Sequence, residues 1–152
     1  MIDAIEAEQD PLRRQIVRFA GRQPACRALW HNHYGIGAMT AVIVWSELGD
    51  CQRFSRSMQA VRHAGLDLSV DQSDLHRAGG KLTRQGPQTL RWALYESAKA
   101  SSRRVAPDHD YYAKVKAAHN GKIAALSIAR KLARRCYHTL RSLDPEVVYA
   151  MP

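Results

Sequence analysis

Two glycines one residue apart, Gly35 and Gly37, stand directly before an apolar run in the stretch YGIGAMTAVIVWSELGD. A residue without a Cβ reaches positive φ and lets successive backbone N–H groups converge; at a helix N-terminus such groups hold an anion, phosphate above all. Two readings are open. The glycines either permit a tight turn between two helices and nothing more, or they form a hairpin whose amides face outward while Ile36 packs into the core. A dinucleotide-binding fingerprint would need a preceding strand and a third glycine at a fixed offset. Residues 28–34 do not read as a strand and the third glycine is missing, so that chemistry is rejected.

Other reactive residue types are less organised. Cys26, Cys51 and Cys136 are far apart and in no Cys-x-x-Cys spacing, which suggests neither a disulfide framework nor a zinc site. A reducing cytoplasm is the expected compartment, at the nucleoid if DNA is the partner. His63 and His76 are two of seven scattered histidines, and proximity to other polar residues is no sign of a general base. Trp92 and Tyr95 read as core of a helix rather than as base-stacking platforms, while of Tyr111 and Tyr112 one is expected to pack and one to face outward.

Charge is unevenly spread. Residues 76–141 hold 15 Lys or Arg against three acids, whereas residues 31–75 hold three Arg against five acids. The net charge of +9 therefore belongs to the C-terminal half, where it would attract a polyanion and release its counterions. DNA is the expected partner. With a mean hydropathy of -0.41 and no apolar run near 18 residues, a membrane-spanning helix is not expected. The acidic N-terminus has no apolar core of the kind a secretory signal needs.

The elements that must position these residues are helical throughout. Apolar residues recur at three- and four-residue spacing, and no stretch alternates with period two, so the expected fold is all-α. Residues 2–20 form an amphipathic helix, interrupted or started afresh at Asp10-Pro11. A short helix around 27–31 leads into the glycine pair, and a second spans 40–48. Ser55 is the expected N-cap of a helix through Met58 and Val61 that Gly65 ends. Residues 66–87 read as a loop too long for a mere connection. Pro87 and Pro107 suit the first turns of two further helices. Gly121 precedes the last, which sets Ala125, Ile128, Ala129, Leu132, Cys136, Leu140 and Leu143 on its apolar stripe. Arg130, Lys131, Arg134 and Arg135 lie on its other faces, either as a solvated surface or, the favoured reading, as phosphate contacts.

The short helix, Gly-Ile-Gly turn and second helix resemble a helix-hairpin-helix element, which contacts a DNA backbone without reading its sequence. Gly35, Ile36 and Gly37 are then DNA-binding residues. Four blocks in order, GIGAMTAVIVWSELGD, AGLDLSVDQSD, GGKLTRQGPQTLRWALYESA and APDHDYYAKVKAAHNGKIAALSIARKLARR, resemble the C-terminal transposase domain of the insertion-sequence-110 family over roughly residues 26–141. The resemblance implies a compact helical domain, residues 25–143, that supplies a nucleophilic serine. That position falls on Ser73, with Ser69 as the alternative. It further implies that Arg77, Lys81 and Arg84 contact the reacting phosphate or its neighbours and absorb its developing charge. A structured bridge RNA as guide and self-association during synapsis are implied as well.

Family members carry a RuvC-like N-terminal domain whose Asp-Glu-Asp-Asp site binds Mg2+, and that pattern is missing from these residues. Residues 1–24 read as the tail of a coiled-coil-like connector and residues 144–152 as a tail. No cofactor or metal site is expected in this chain itself. Two functions of different class follow: the serine-bearing domain of an RNA-guided transposase, complemented by the metal domain, or a DNA-binding helix-hairpin-helix module without chemistry, such as a decayed remnant.

Overall fold

The computed structural model describes residues 2–68 and 82–151, and these are helical apart from turns and one isolated bridge. Helix α1 spans Ile2–Arg22, α2 Pro24–Asn32, α3 Ala38–Leu48, α4 Ser57–His63, α5 Gln88–Lys99, α6 His109–Ala118, α7 Gly121–Arg141 and α8 Pro145–Tyr149. A 3-10 turn, Ala100–Ser102, extends α5. Among the described residues no helix is long and apolar enough to cross a membrane.

The centre of the fold is α7. Asn120 caps it, its side chain accepting from the Ile123 N–H at 3.0 Å. Its buried stripe contains the expected Ala125, Ile128, Ala129, Leu132, Cys136 and Leu140. Ala124 and Ala133 widen the stripe, and these small side chains let α4, α5 and α6 pack closely on α7. The hairpin helices α2 and α3 pack on each other, and α1 lies against both. Leu29, Val44, Leu48, Leu90 and Leu94 fill the space between these helices and are essentially inaccessible, each burial contributing about 2 kcal/mol.

Several local expectations are corrected. Helix α1 runs unbroken through Pro11, since Pro11 and Ala7 both lie on its exposed side, where a lost backbone bond is replaced by water. Ser55 does not cap α4. Arg56 holds that position, and the Ser55 N–H instead donates to Gln59 Oε1 at 2.7 Å. Gly65, at φ +67, ends α4 as expected. Trp92 is no core residue but 56% exposed, whereas Tyr95 is half-buried against the core. Residues 144–152 include α8, whose Val148 is fully buried.

Candidate nucleic-acid interface

The glycine pair divides its work. Ile36 N donates to His33 O at 3.2 Å to close the turn between α2 and α3, and Ile36 is buried as expected. Gly35 sits at φ +86, and a Cβ there would run into the Ser97 carbonyl oxygen of α5. Its positive φ therefore seats the hairpin on α5, and the Ser97 hydroxyl donates to Thr40 Oγ1 at 3.1 Å beside it. On the other flank His33 Nε2 lies 2.8 Å from Thr139 Oγ1 of α7. Burial and the nearby Arg135 charge lower the His33 pKa, so its ring is neutral at pH 7.

Gly37 faces the other way. It is the N-cap of α3, exposed and extended at φ -93, ψ 177, and a Cβ on it would meet nothing within 4 Å. The first turn is closed by Ala41 N donating to Gly37 O at 2.9 Å, leaving the N–H groups of Ala38, Met39 and Thr40 without intrahelical acceptors. No side chain caps them and no acid lies in the first turn. The positive end of α3 is thus open beside an exposed glycine, an arrangement suited to an anionic oxygen.

Ser73, with Ser69, His76, Arg77 and Lys81, lies outside the described residues, which resume on either side at Leu68 and Leu82. Leu68 pairs with Leu82 in a single antiparallel bridge. Thr83 N donates to Asp67 O at 3.2 Å, and the Thr83 hydroxyl donates to Asp67 Oδ1 at 2.5 Å. Arg62 pairs with the same carboxylate at 3.3 Å. From α7, Arg130 Nε donates to Leu66 O at 2.6 Å. The described residues on either side of 69–81 therefore meet in a neck, 66–68 against 82–83. Arg84, exposed at that neck, holds φ +51, a left-handed backbone uncommon for a side chain of its size.

The basic residues of α7 separate into two kinds. Arg130 is half-buried on the neck carbonyl, and burial, with the Arg134 charge adding to it, lowers its pKa. Lys131 and Arg135 both reach Asp108 at the start of α6, Lys131 at 3.2 Å and Arg135 through a two-pronged contact of 2.5 and 3.0 Å. Lys131 Nζ also lies 3.9 Å from the centre of the Tyr111 ring. Tyr111 is accordingly the outward member of its pair and Tyr112 the packed one. Arg134 is exposed beside Met58, its Nη2 4.0 Å from the sulfur. Sequence periodicity placed all four cations off the apolar stripe but could not show that three of them have partners within the fold.

Cys26, Cys51 and Cys136 are buried free thiols, each pushed up to about 12 by burial, which leaves them protonated and inert. His63 packs its ring on Phe54 and has Arg53 Nη2 at 3.4 Å from Nε2; burial and that charge lower its pKa. Among the described residues no three His, Cys, Asp or Glu side chains gather as metal ligands. Sequence reading missed Asp67, Thr83 and Arg62, the neck residues, because their partnership is created only by the fold.

No curated protein matches this sequence. The family model of the IS116/IS110/IS902 transposases matches residues 26–113, from the start of α2 to the middle of α6, and so covers both the hairpin and the Ser73 segment. With more than half its length matched, the chain belongs to the IS116/IS110/IS902 transposase family.

Proposed function

We propose that this chain acts in DNA transposition as the domain that grips a DNA duplex and brings a serine nucleophile, Ser73, to one of its phosphates. The observation that carries the grip is the open N-terminus of α3 behind the exposed Gly37. A duplex phosphate accepting from the α3 amides fixes the position of the DNA without reading a base. Exposed Arg134 and Arg84 add phosphate contacts. Arg130, Lys131 and Arg135 serve the site chiefly by holding the neck and α6 in place.

In the reaction the Ser73 oxygen bonds to phosphorus, the departing sugar oxygen takes the electron pair of the broken P–O bond, and the proton lost from the Ser73 hydroxyl passes through solvent to that sugar oxygen. Arg77, Lys81 and Arg84 offset the charge that grows on the phosphate oxygens. A RuvC-like domain, in cis or in trans, supplies Mg2+, whose Lewis acidity serves that same charge. A structured guide RNA choosing the DNA sites and several copies of the chain synapsing two duplexes belong to the same proposal.

Gly37→Asp tests the grip. An aspartate at this N-cap accepts from the α3 amides itself, raising the stability of the helix by up to about 1 kcal/mol while setting a negative charge where the phosphate would lie. The expected outcome is a Tm at or above wild type with duplex affinity, read by fluorescence anisotropy, down at least tenfold; undiminished affinity would exclude the hairpin. Gly37→Val is expected to fold, because its side chain meets open space, and to bind duplex more weakly regardless of sequence. For the chemistry, Ser73→Ala in a strand-exchange assay with the metal domain and guide RNA present is expected to give no recombinants while DNA binding persists. Unchanged exchange would leave a DNA-binding module without chemistry at Ser73.

A further inference from the structure

Helix α5 turns an aromatic and basic face to solvent that the duplex grip does not use. Trp92 is 56% exposed on that face. Tyr95, three residues on, and Lys99, seven residues on, follow it along the helix at the spacing that keeps side chains on one side. The line ends in an open cleft of about 570 Å³ between α5 and the α6–α7 turn, lined by Tyr95, Lys99, Tyr112, Asn120, Gly121 and Lys122. Lys99 Nζ lies 5.9 Å from the Tyr95 ring centre and is half exposed, paired on one side with Glu96 at 2.6 Å. Lys116 is one helical turn from Tyr112 on α6, and Glu96 is the one acid of α5.

We propose that this face binds a single nucleic-acid strand, with unpaired bases stacked on Trp92 and Tyr95 and the backbone phosphate held in the cleft by Lys99 and Lys122. Three features select a single strand over other occupants. The cleft has the volume of one small ligand, whereas a duplex is far wider than it. Two rings that lead into a pair of ammonium groups offer a strand a place for unpaired bases with a place for phosphate beside it, and stacking tolerates any base. A duplex keeps its bases stacked on each other and would leave Trp92 unused. The same helix touches the grip from its buried side, where Ser97 bonds Thr40 in the first turn of α3. The inference rests on the chain handling nucleic acid but not on the hairpin being the duplex contact.

The test uses the whole chain with labelled ten-nucleotide oligothymidine and oligouridine and a 20-base-pair duplex, read by anisotropy, together with intrinsic tryptophan fluorescence. Trp92→Leu and Tyr95→Leu are each expected to weaken single-strand binding about tenfold, Tyr95→Phe to retain it, and all three to leave duplex affinity within twofold. Single-strand binding should quench the wild-type fluorescence, and Trp92→Leu should lose most of the quench. The double variant Lys99→Ala/Lys122→Ala should flatten the salt dependence by about 0.7 per lost phosphate contact. Tighter binding of thymidine or of uridine oligomers assigns the strand as DNA or RNA, and either supports the site. No single-strand binding by wild type, aromatic variants with unchanged affinity, or equal losses on strand and duplex would overturn it. Failure of the hairpin reading looks different, because Gly37→Asp reports on the duplex alone.

Discussion

At the scale of single residues, the two glycines of the hairpin are separable by experiment. Gly35 needs its missing Cβ for the fold, since it combines φ +86 with close approach to the Ser97 carbonyl, while Gly37 is conformationally ordinary and open on its outer side. Gly35→Ala is therefore expected to cost about 2–4 kcal/mol, from left-handed strain plus displacement of α5, measured by urea unfolding. Gly37→Ala is expected to change stability by less than about 1 kcal/mol in the same assay. Equal losses at the two positions would show that the hairpin is not seated on α5 as described. The sequence made the pair visible as a turn between two helices with Ile36 inward, and the structure has α2 and α3 on either side of it with Ile36 buried. It could not say which glycine faces the protein, because the carbonyl that decides the matter lies 62 positions away on another helix.

Among the elements, α6 is held by a charge cluster as well as by the burial of Tyr112, and the cluster makes its docking sensitive to pH. Of its residues only Tyr112 is buried, while Asp108 at its N-cap gathers Lys131 and Arg135 from α7. The hydrogen bond from Arg135 and then that from Lys131 hold the Asp108 carboxyl below its ordinary value of 3.8. A carboxylate more acidic in the folded than in the unfolded chain stabilises the fold fully above the unfolded value and loses that stabilisation as pH falls through the lowered one. The partners are partly exposed, so solvent screening keeps the contribution near 1 kcal/mol. Asp108→Asn should then be about 1 kcal/mol less stable than wild type at pH 7, with the gap closing below about pH 4 and narrowing in high salt, by urea unfolding at each condition. A gap independent of pH would assign Asp108 a packing role instead. The helices themselves were largely legible, because the stripe of α7 and the breaks at Gly65, Pro87 and Gly121 are local signals. Trp92 was misread because helical spacing admits it to either face, and only the packing partners of α5 decide. The neck of the Ser73 segment was not legible either, since Asp67 and Thr83 are 16 positions apart and Arg130 is 64 from Leu66.

On the scale of the whole molecule, a buried polar contact ties the junction of α1 and α2 to the last helix, and it gives the C-terminal residues a structural task that a tail would not have. Gln23, between α1 and α2, is fully buried; its Oε1 accepts from Cys26 N at 2.8 Å, and its Nε2 donates to Val148 O at 2.6 Å. Trp45 Nε1 of α3 donates to the same carbonyl at 2.8 Å. The Val148 side chain is buried too, and Tyr149 reaches over Gly49, its hydroxyl accepting from Asp50 N at 3.4 Å. The C-terminal segment thus closes the junction where α1 enters the domain. Removing residues 144–152 would strip Val148 from the core and leave the Gln23 amide and the Trp45 indole N–H without their acceptor. Water reaches the half-buried indole more readily than the amide, so the sum is expected near 3–5 kcal/mol. For a domain of this size that lowers Tm by roughly 10 °C. The loss should be local as well as global: hydrogen exchange is expected to quicken first in α2 and the end of α1, before α7, which keeps its other partners. Gln23→Ala in the full chain should reproduce part of the effect, because it removes the donor to Val148 O and opens a cavity at the same junction. A truncated chain with unchanged Tm and unchanged exchange in α1 and α2 would mean that α8 rests on the domain without holding it, and that the angle at which α1 enters is set by α2 and α3 alone.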